Sequence, residues 1–212
     1  MSDEMNRSGL LIVLSAASGT GKTTVAGELL LKNRNIIRSI SATTRAPRTG
    51  EENGRDYFFI DDQTFDGMVE RGEFLEWAHV YTHRYGTPKK FAYENVDRGK
   101  YVLLVIDVQG GQAVKKVCND AVLLFLIPPS AGELKKRLAD RRSDSAEQLS
   151  IRLESAAMEI RSASMYDYIV LNDTVQGAVD AIESILNSEK QKTPRMKKIL
   201  NSIARDCLET NF

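Results

Sequence analysis

An unbroken apolar run, Gly9-Leu-Leu-Ile-Val-Leu14, passes into Ser15-Ala-Ala-Ser-Gly-Thr-Gly-Lys-Thr-Thr24 and then into a helical pattern with Val25, Ala26, Leu29 and Leu30 on one side. A strand that is apolar at every position must be buried on both faces, as in a parallel sheet covered by helices. The signature returns in Tyr101–Ile106 and Ala121–Ile127, and more briefly in Tyr168–Leu171. Helical patterns follow at about 110–119 and 131–142, and again where Val175, Ala178, Val179, Ile182 and Leu186 share a face. Such alternation predicts an α/β architecture with a parallel sheet flanked by helices. At 212 residues, 42% hydrophobic and 27% charged, the chain has the length and composition of one globular domain with room for an inserted module.

Residues 39–99 break the rhythm. They are polar, turn-rich and aromatic, with Pro47, Gly50, Gly54, Tyr57, Phe58, Phe59, Trp77, Tyr85 and Gly86. They read as a small insertion of short antiparallel strands with one helix near Gln63–Arg71. The charged stretch Arg141–Glu147 lacks apolar anchors and is expected to be mobile. After Pro194, the spacing of Met196, Ile199, Leu200, Ile203, Cys207 and Leu208 predicts a helix. It is expected to pack on the chain's own core, a dimer contact being the alternative. The domain reading is therefore a core of 9–38 and 100–190, an insertion of 39–99 and a helical tail of 191–212.

The 29 basic and 29 acidic residues cancel, which argues against a protein devoted to the nucleic-acid backbone. No apolar run is long enough to span a membrane, and the polar start resembles no signal segment. The two cysteines, Cys118 and Cys207, lie far apart and indicate neither a disulfide scaffold nor a zinc site. A soluble, cytoplasmic chain is the expectation.

The turn after the first strand carries chemistry. Its residues Ala16, Ala17, Ser18, Gly19, Thr20, Gly21, Lys22, Thr23 and Thr24 follow the P-loop pattern, with Ala16 in place of the first glycine. Gly19 and Gly21 permit positive φ, so backbone N–H groups can turn inward. A helix opening near Lys22 aims its positive end at phosphates. Lys22 would reach the β- and γ-phosphates of ATP, and the Thr23 hydroxyl would hold Mg²⁺. A Gly-rich turn without a ligand is the bland alternative; the position between a buried strand and a helix argues against it. Asp107-Val-Gln-Gly110 matches the Asp-x-x-Gly element of GTPases, yet no Asn-Lys-x-Asp follows. A short P-loop chain with an insertion after the first helix looks instead like a nucleoside monophosphate kinase, which needs a second phosphate site.

Arg45 and Arg48 flank Pro47 in Thr43-Thr-Arg-Ala-Pro-Arg48, and Tyr57 could add a hydroxyl donor. Arginine forks pair bidentately with phosphate oxygens. On physics alone this segment is equally a solvated basic turn. Its pattern, however, resembles the signature of guanylate kinases: Thr43, Thr44, Arg45, Arg48, Glu51, Gly54, Tyr57 and Phe59 each stand where that family keeps a matching residue. The resemblance extends from the P-loop to about Asn187.

The resemblance implies a P-loop nucleoside monophosphate kinase fold with a five-stranded parallel sheet, a small mixed GMP-binding domain and a helical lid at 137–152. It implies a GMP site of Ser41, Arg45, Arg48, Glu51, Tyr57, Glu76, Tyr85, Gly86 and Thr87, with Arg45, Arg48, Tyr57 and Tyr85 on the phosphate. Glu76 would accept from guanine N1–H and the exocyclic amino group, and Ser41 and Thr87 would meet other polar edges of the base. Arg137, Arg141 and Arg152 look like lid arginines, Asn172 like an adenine contact, and Asp107 like the carboxylate that orients Mg²⁺ through water. One position departs from the family: where an acid usually stands two residues before Asp107, this chain has Val105. The implied reaction is ATP + GMP to ADP + GDP. Two rivals are a guanylate-kinase-like protein-binding module, disfavoured by the intact Gly21-Lys22-Thr23, and a kinase for another monophosphate, disfavoured by Glu76.

Overall fold

The computed structural model describes residues 9–80, 82–139 and 146–209. Its first strand, β1 (Leu10–Ala16), is buried at every position. The reason is visible in the packing. Leu10, Ile12 and Leu14 point to one side, against Val25 and Leu29 of α1 (Lys22–Lys32) and Val179, Ile182 and Leu186 of α7 (Val175–Lys190). Leu11 and Val13 point to the other, where Ala92 and Val96 of α3 (Lys89–Asp97) and Val114 of α4 (Val108–Val117) cover them. An all-apolar strand is thus the sequence form of a layer covered on both faces.

Five strands make the main sheet, in the order β2 (Ile36–Arg38), β7 (Tyr101–Val105), β1, β8 (Val122–Ile127) and β9 (Tyr168–Leu171). All four pairings are parallel. This is the expected α/β fold. Three-residue β2 sits at the edge and was too short to stand out in the sequence. Helix α5 (Ala131–Ala139) follows β8, and α6 (Ala146–Arg161) leads through a 3-10 turn at Ser162–Met165 to β9. The polar stretch expected to be mobile lies outside the described residues up to Ser145, as does Arg141; α6 begins at Ala146.

The insertion forms a second sheet in the order β4 (Phe58–Phe59), β3 (Ala42–Thr43), β6 (His83–Pro88), β5 (Phe74–Val80). It is mixed: β3 pairs parallel with β4 and antiparallel with β6. The expected helix is α2 (Asp62–Glu70), capped by the Asp61 carboxylate accepting from Thr64 N–H. Phe65 of α2 stacks on Phe74 at 4.6 Å to make a small core. The sequence reading did not separate α3 as a second helix of this segment. Its apolar residues serve the main core, so chain order and packing unit do not coincide here.

The C-terminal helix corrects an expectation. Helix α8 (Thr193–Glu209) forms, but none of its residues is buried. It is anchored at its first turn, where Arg195 pairs with Asp120 at 2.7 Å and donates to the Asp120 carbonyl at 2.9 Å. An amphipathic spacing predicts a face; it does not say which surface covers it.

Gly9 enters β1 where the chain passes close beneath α3. A Cβ there would lie 2.2 Å from the Lys100 carbonyl oxygen and 2.6 Å from that of Val96. Both are backbone atoms that cannot rotate aside. Gly9→Ala is expected to destabilise the fold by about 2 kcal/mol, measured by urea unfolding; an unchanged midpoint would contradict this packing.

Candidate active site

The P-loop is built by glycine conformations and by ties from behind. Gly19 (φ 83°) and Gly21 (φ 93°) lie in the left-handed region, where a side chain is strained. Gly21 caps α1 with no side-chain hydrogen bond, and the first turn of α1 holds no acid. The helix therefore presents open N–H groups and an uncancelled positive end. Asn172 is 3% exposed, and its Nδ2 donates to the Thr20 carbonyl at 2.6 Å. Arg137 Nη1 reaches the same oxygen at 3.4 Å, while its Nε is held by Glu133 at 2.8 Å. With the Thr20 carbonyl turned back, the Gly21 N–H of the same planar peptide points the opposite way, to the open side of the loop. Ser18 N–H donates to Glu159 of α6 at 2.9 Å.

That open side is a cavity of about 310 Å³ lined by the loop from Ala16 to Thr24 together with Asp107 and Glu159. Lys22 Nζ donates to the Ile106 carbonyl at 2.8 Å. Burial lowers its pKa, opposed by the charges of Asp107 and Glu159. Thr23 and Thr24 are exposed at the mouth. Asp107 caps α4 by accepting Gly110 N–H on Oδ1 at 2.8 Å.

A second cavity, about 270 Å³, lies between the two sheets. Ser41, Tyr57, Glu76, Ala78, Tyr85 and Val105 line it, and Lys22, Ile106 and Asp107 close one end. Lys22 and Asp107 thus belong to both cavities. Arg45 donates to both Glu51 carboxylate oxygens at 2.9 Å and to the Tyr85 hydroxyl at 3.2 Å, and it stands 5.5 Å from the Tyr57 ring centroid. The Arg48 backbone N–H, with the Arg45 guanidinium, holds the Glu51 carboxyl below its usual range despite partial desolvation. The Arg48 side chain is exposed.

Glu76 is the unusual group. It is 8% exposed, and its main partner is Thr87, whose hydroxyl donates to Oε1 at 2.6 Å. Burial pushes its pKa up to about 7, with the Asp107 charge adding to the rise and Thr87 opposing it. Oε2 lies close to Gly110, where a Cβ would stand 3.1 Å from it. Thr87 is thereby committed to positioning Glu76. Gly86, whose Cβ would meet the Phe74 ring at 2.7 Å, brings β6 close to β5.

The structure gathers the expected residues into two groups: Ala16–Thr24 with Asp107, and Ser41, Arg45, Glu51, Tyr57, Glu76 and Tyr85 with Thr87. Asn172 and Arg137 stand at the back of the P-loop. Arg152 is partly buried on α6. The sequence reading missed Arg38 and Ser39, which line the second cavity, and Glu159. Arg38 lies beside the insertion's start and carries no motif; Glu159 falls two turns after Arg152 on the same helix, a spacing that would have placed it on that face.

Two phosphate-scale cavities meeting at one lysine, on a P-loop parallel sheet, define a nucleoside monophosphate kinase. Comparison with known proteins sharpens the class. The guanylate kinase family model matches residues 8–189. A guanylate kinase of Clostridioides difficile (strain 630) is 44% identical, over 92% of this chain and 95% of its own. One from Myxococcus xanthus is 47% identical, over 89% and 90%. The crystal structure of guanylate kinase from Anaplasma phagocytophilum superposes with a TM-score of 0.74 at 37% identity, covering 93% of this chain and 97% of that one. This chain belongs to the guanylate kinase family, a family of ATP:GMP phosphotransferases.

Keeping Glu76 ionised in the folded chain costs on the order of 3 kcal/mol relative to water. In the folded state it takes up a proton below pH 7, whereas in the unfolded state it does so only near its ordinary 4.5. The folded state binds more protons between those values, so this group's contribution to stability falls as pH rises from about 4.5 to 7, then levels. Glu76→Gln is expected to unfold later than wild type at pH 8, with the gain shrinking toward pH 5. Thermal melts at the two pH values measure it; equal gains at both would rule out the titration.

Proposed function

We propose that this chain transfers the γ-phosphoryl of ATP to GMP, and to dGMP, giving ADP and GDP. The observation that carries the reading is that Lys22 and Asp107 line both cavities, so a donor in one and an acceptor in the other meet at those two side chains.

The P-loop cavity takes the triphosphate. Open N–H groups at the start of α1 and the Lys22 ammonium match its charge. The second cavity takes GMP. Arg45, Arg48, Tyr57 and Tyr85 hold the phosphate, and Glu51 keeps the Arg45 fork in place. Glu76 selects the base: guanine offers two adjacent donors, N1–H and the amino group, which a carboxylate accepts together. Thr87 fixes one oxygen of that carboxylate. Ser41 contacts another polar edge.

Attack comes from a GMP phosphate oxygen in line with the γ-phosphorus. The second phosphate pKa is about 6, so that oxygen is anionic at neutral pH and needs no general base. Neither His79 nor His83 lines either cavity. What remains is positioning and neutralisation of spreading charge by Lys22 and by the lid arginines Arg152, Arg141, which lies outside the described residues, and Arg137, which would have to leave the Thr20 and Asn172 carbonyls behind the P-loop to take part. Asn172 serves the adenine end. Thr23 and Asp107 both line the P-loop cavity and would hold Mg²⁺, Asp107 through water, in keeping with an ion ordinarily bound by one or two protein oxygens plus phosphates and waters. When bound, it supplies neutralisation of the β- and γ-oxygens. Closure of the lid over both substrates excludes water, the competing acceptor. We read the chain as a cytoplasmic enzyme of purine nucleotide metabolism that acts on nucleotides rather than nucleic acid; separately, no helix among the described residues is long and apolar enough to cross a membrane. The core, insertion and lid are read as the boundaries given by the sequence.

Lys22→Ala is expected to lower kcat about a thousandfold while GMP still binds with near-normal affinity by calorimetry. Wild-type turnover in a coupled ADP-release assay would sink the role. Because Glu76 must be ionised to receive guanine, KM for GMP is expected to rise about tenfold per pH unit below 7, and Glu76→Gln, weaker for GMP roughly thirtyfold, should lose most of that slope. A profile unchanged by the substitution would assign it to the GMP phosphate instead. Assays across GMP, dGMP, AMP, CMP and UMP separate the rivals: inactivity with all favours a binding module, and AMP preference favours another monophosphate kinase.

A further inference from the structure

Helix α8 is 17 residues long, about 25 Å, and is anchored to the body at its first turn. Arg195, with a side chain only 10% exposed, is clasped by Asp120 at 2.7 Å and stands 3.7 Å from buried Glu189. Lys192 pairs with Glu189 at 2.6 Å just before the helix. This anchor sets where α8 points and then leaves it without burial. Along it, Met196, Leu200, Ile203 and Cys207 recur at spacings of four, three and four. That is the 3.5-residue repeat of a helix seam that packs against another helix. Ile199 and Leu208 flank the seam. Leu200 is 52% exposed, Ile203 56% and Leu208 85%.

Charge decides the orientation of the partner. The first half of α8 carries Arg195, Lys197 and Lys198; the last turns carry Asp206 and Glu209 with a single cation, Arg205. With Arg195 already paired to Asp120, two copies side by side in parallel would bring Lys197 and Lys198 of one against those of the other. An antiparallel pair sets the basic end of each against the acidic end of the other and opposes the two helix dipoles. We infer that the face is covered by the α8 of a second copy of this chain, antiparallel, making a two-fold homodimer. The interface is isologous and closes on itself. It buries on the order of 1,000 Å² in all, the lower end for specific association, which implies micromolar affinity. This is independent of the kinase chemistry, since α8 lines neither nucleotide cavity.

In the antiparallel register Leu200 meets Ile203 of the partner helix, and Met196 meets its Cys207. The test uses the full chain. Sedimentation from 1 to 100 µM is expected to show the weight-average mass rising from monomer toward dimer. A Leu200→Asp, Ile203→Asp double variant should stay monomeric at every concentration and keep wild-type GMP-dependent ADP release. Under mild oxidation, Met196→Cys should form a disulfide-linked dimer through Cys207 of the second copy. Wild type should not cross-link, because antiparallel Cys207 residues lie apart and Cys118 is buried. Met196→Cys with Cys207→Ser should not cross-link either. A wild-type chain that stays monomeric at 100 µM overturns the inference: retention of that monomer on anionic vesicles would assign the face to a membrane surface, and slow reaction of Cys207 with a thiol reagent would assign it to the chain's own core. Ready Cys207–Cys207 cross-linking of wild type overturns the antiparallel arrangement.

Discussion

The start of α1 holds a concentration of positive potential that no side chain of the helix caps. Helices α2, α4 and α7 begin under side-chain caps from Asp61, Asp107 and Thr174. Helix α1 begins under a glycine, has no acid in its first turn, and adds the Lys22 ammonium. Capping residues stabilise helices by about 1 kcal/mol each, so omitting one is a local loss of stability. It also leaves four N–H groups facing a cavity rather than a side chain. An anion with several oxygens is the complement of that arrangement. The sheet around it follows: β1 must end at the loop, and its burial on both faces fixes where the loop sits.

The opposite sign governs the second cavity. Glu76 is a buried carboxylate that pairs with no cation among the described residues; burial raises its pKa to about 7, and the Thr87 hydroxyl donates to it. A structural carboxylate would more cheaply be paired, as Glu51 is with Arg45. The contrast separates the two acids by purpose. Glu51 spends its charge on shaping an arginine fork; Glu76 keeps an oxygen unspent for donors that come from elsewhere. Val105 is consistent with this economy of charge, since a third carboxylate beside Glu76 and Asp107 would raise the Glu76 pKa further.

Much of this was legible in the sequence because the signals were local. A strand apolar at each position and a glycine pair before Lys-Thr are read within fifteen residues, and the main sheet followed from them. The residues in and around the second cavity were legible only through the family signature, since an arginine in a turn looks the same whether it is solvated or meets a phosphate. Edge strand β2 offered three residues, too few for a pattern. Arg38 and Glu159 belong to no motif; what places them is the meeting of β2 with the insertion and of α6 with the P-loop, contacts that span the fold. Helix α8 failed for a different reason. Periodicity reports that a face is apolar, and burial depends on a surface that periodicity does not contain.

The P-loop also draws its shape from elements far along the chain. Leu138 of α5 stands where a Cβ on Gly19 would come within 2.7 Å, Asn172 after β9 holds the Thr20 carbonyl, and Glu159 of α6 takes the Ser18 N–H. Each contact acts on the back or flank of the loop. A peptide unit is planar, so a carbonyl drawn backward sends the following N–H forward. The loop is thus aimed by α5, α6 and the segment after β9, and Arg152 and Glu159 share a face of α6 two turns apart. A displacement of α6 would work against, or through, the bond to Ser18. Helix α6 and the P-loop are in this way joined by a carboxylate and an amide that no motif records.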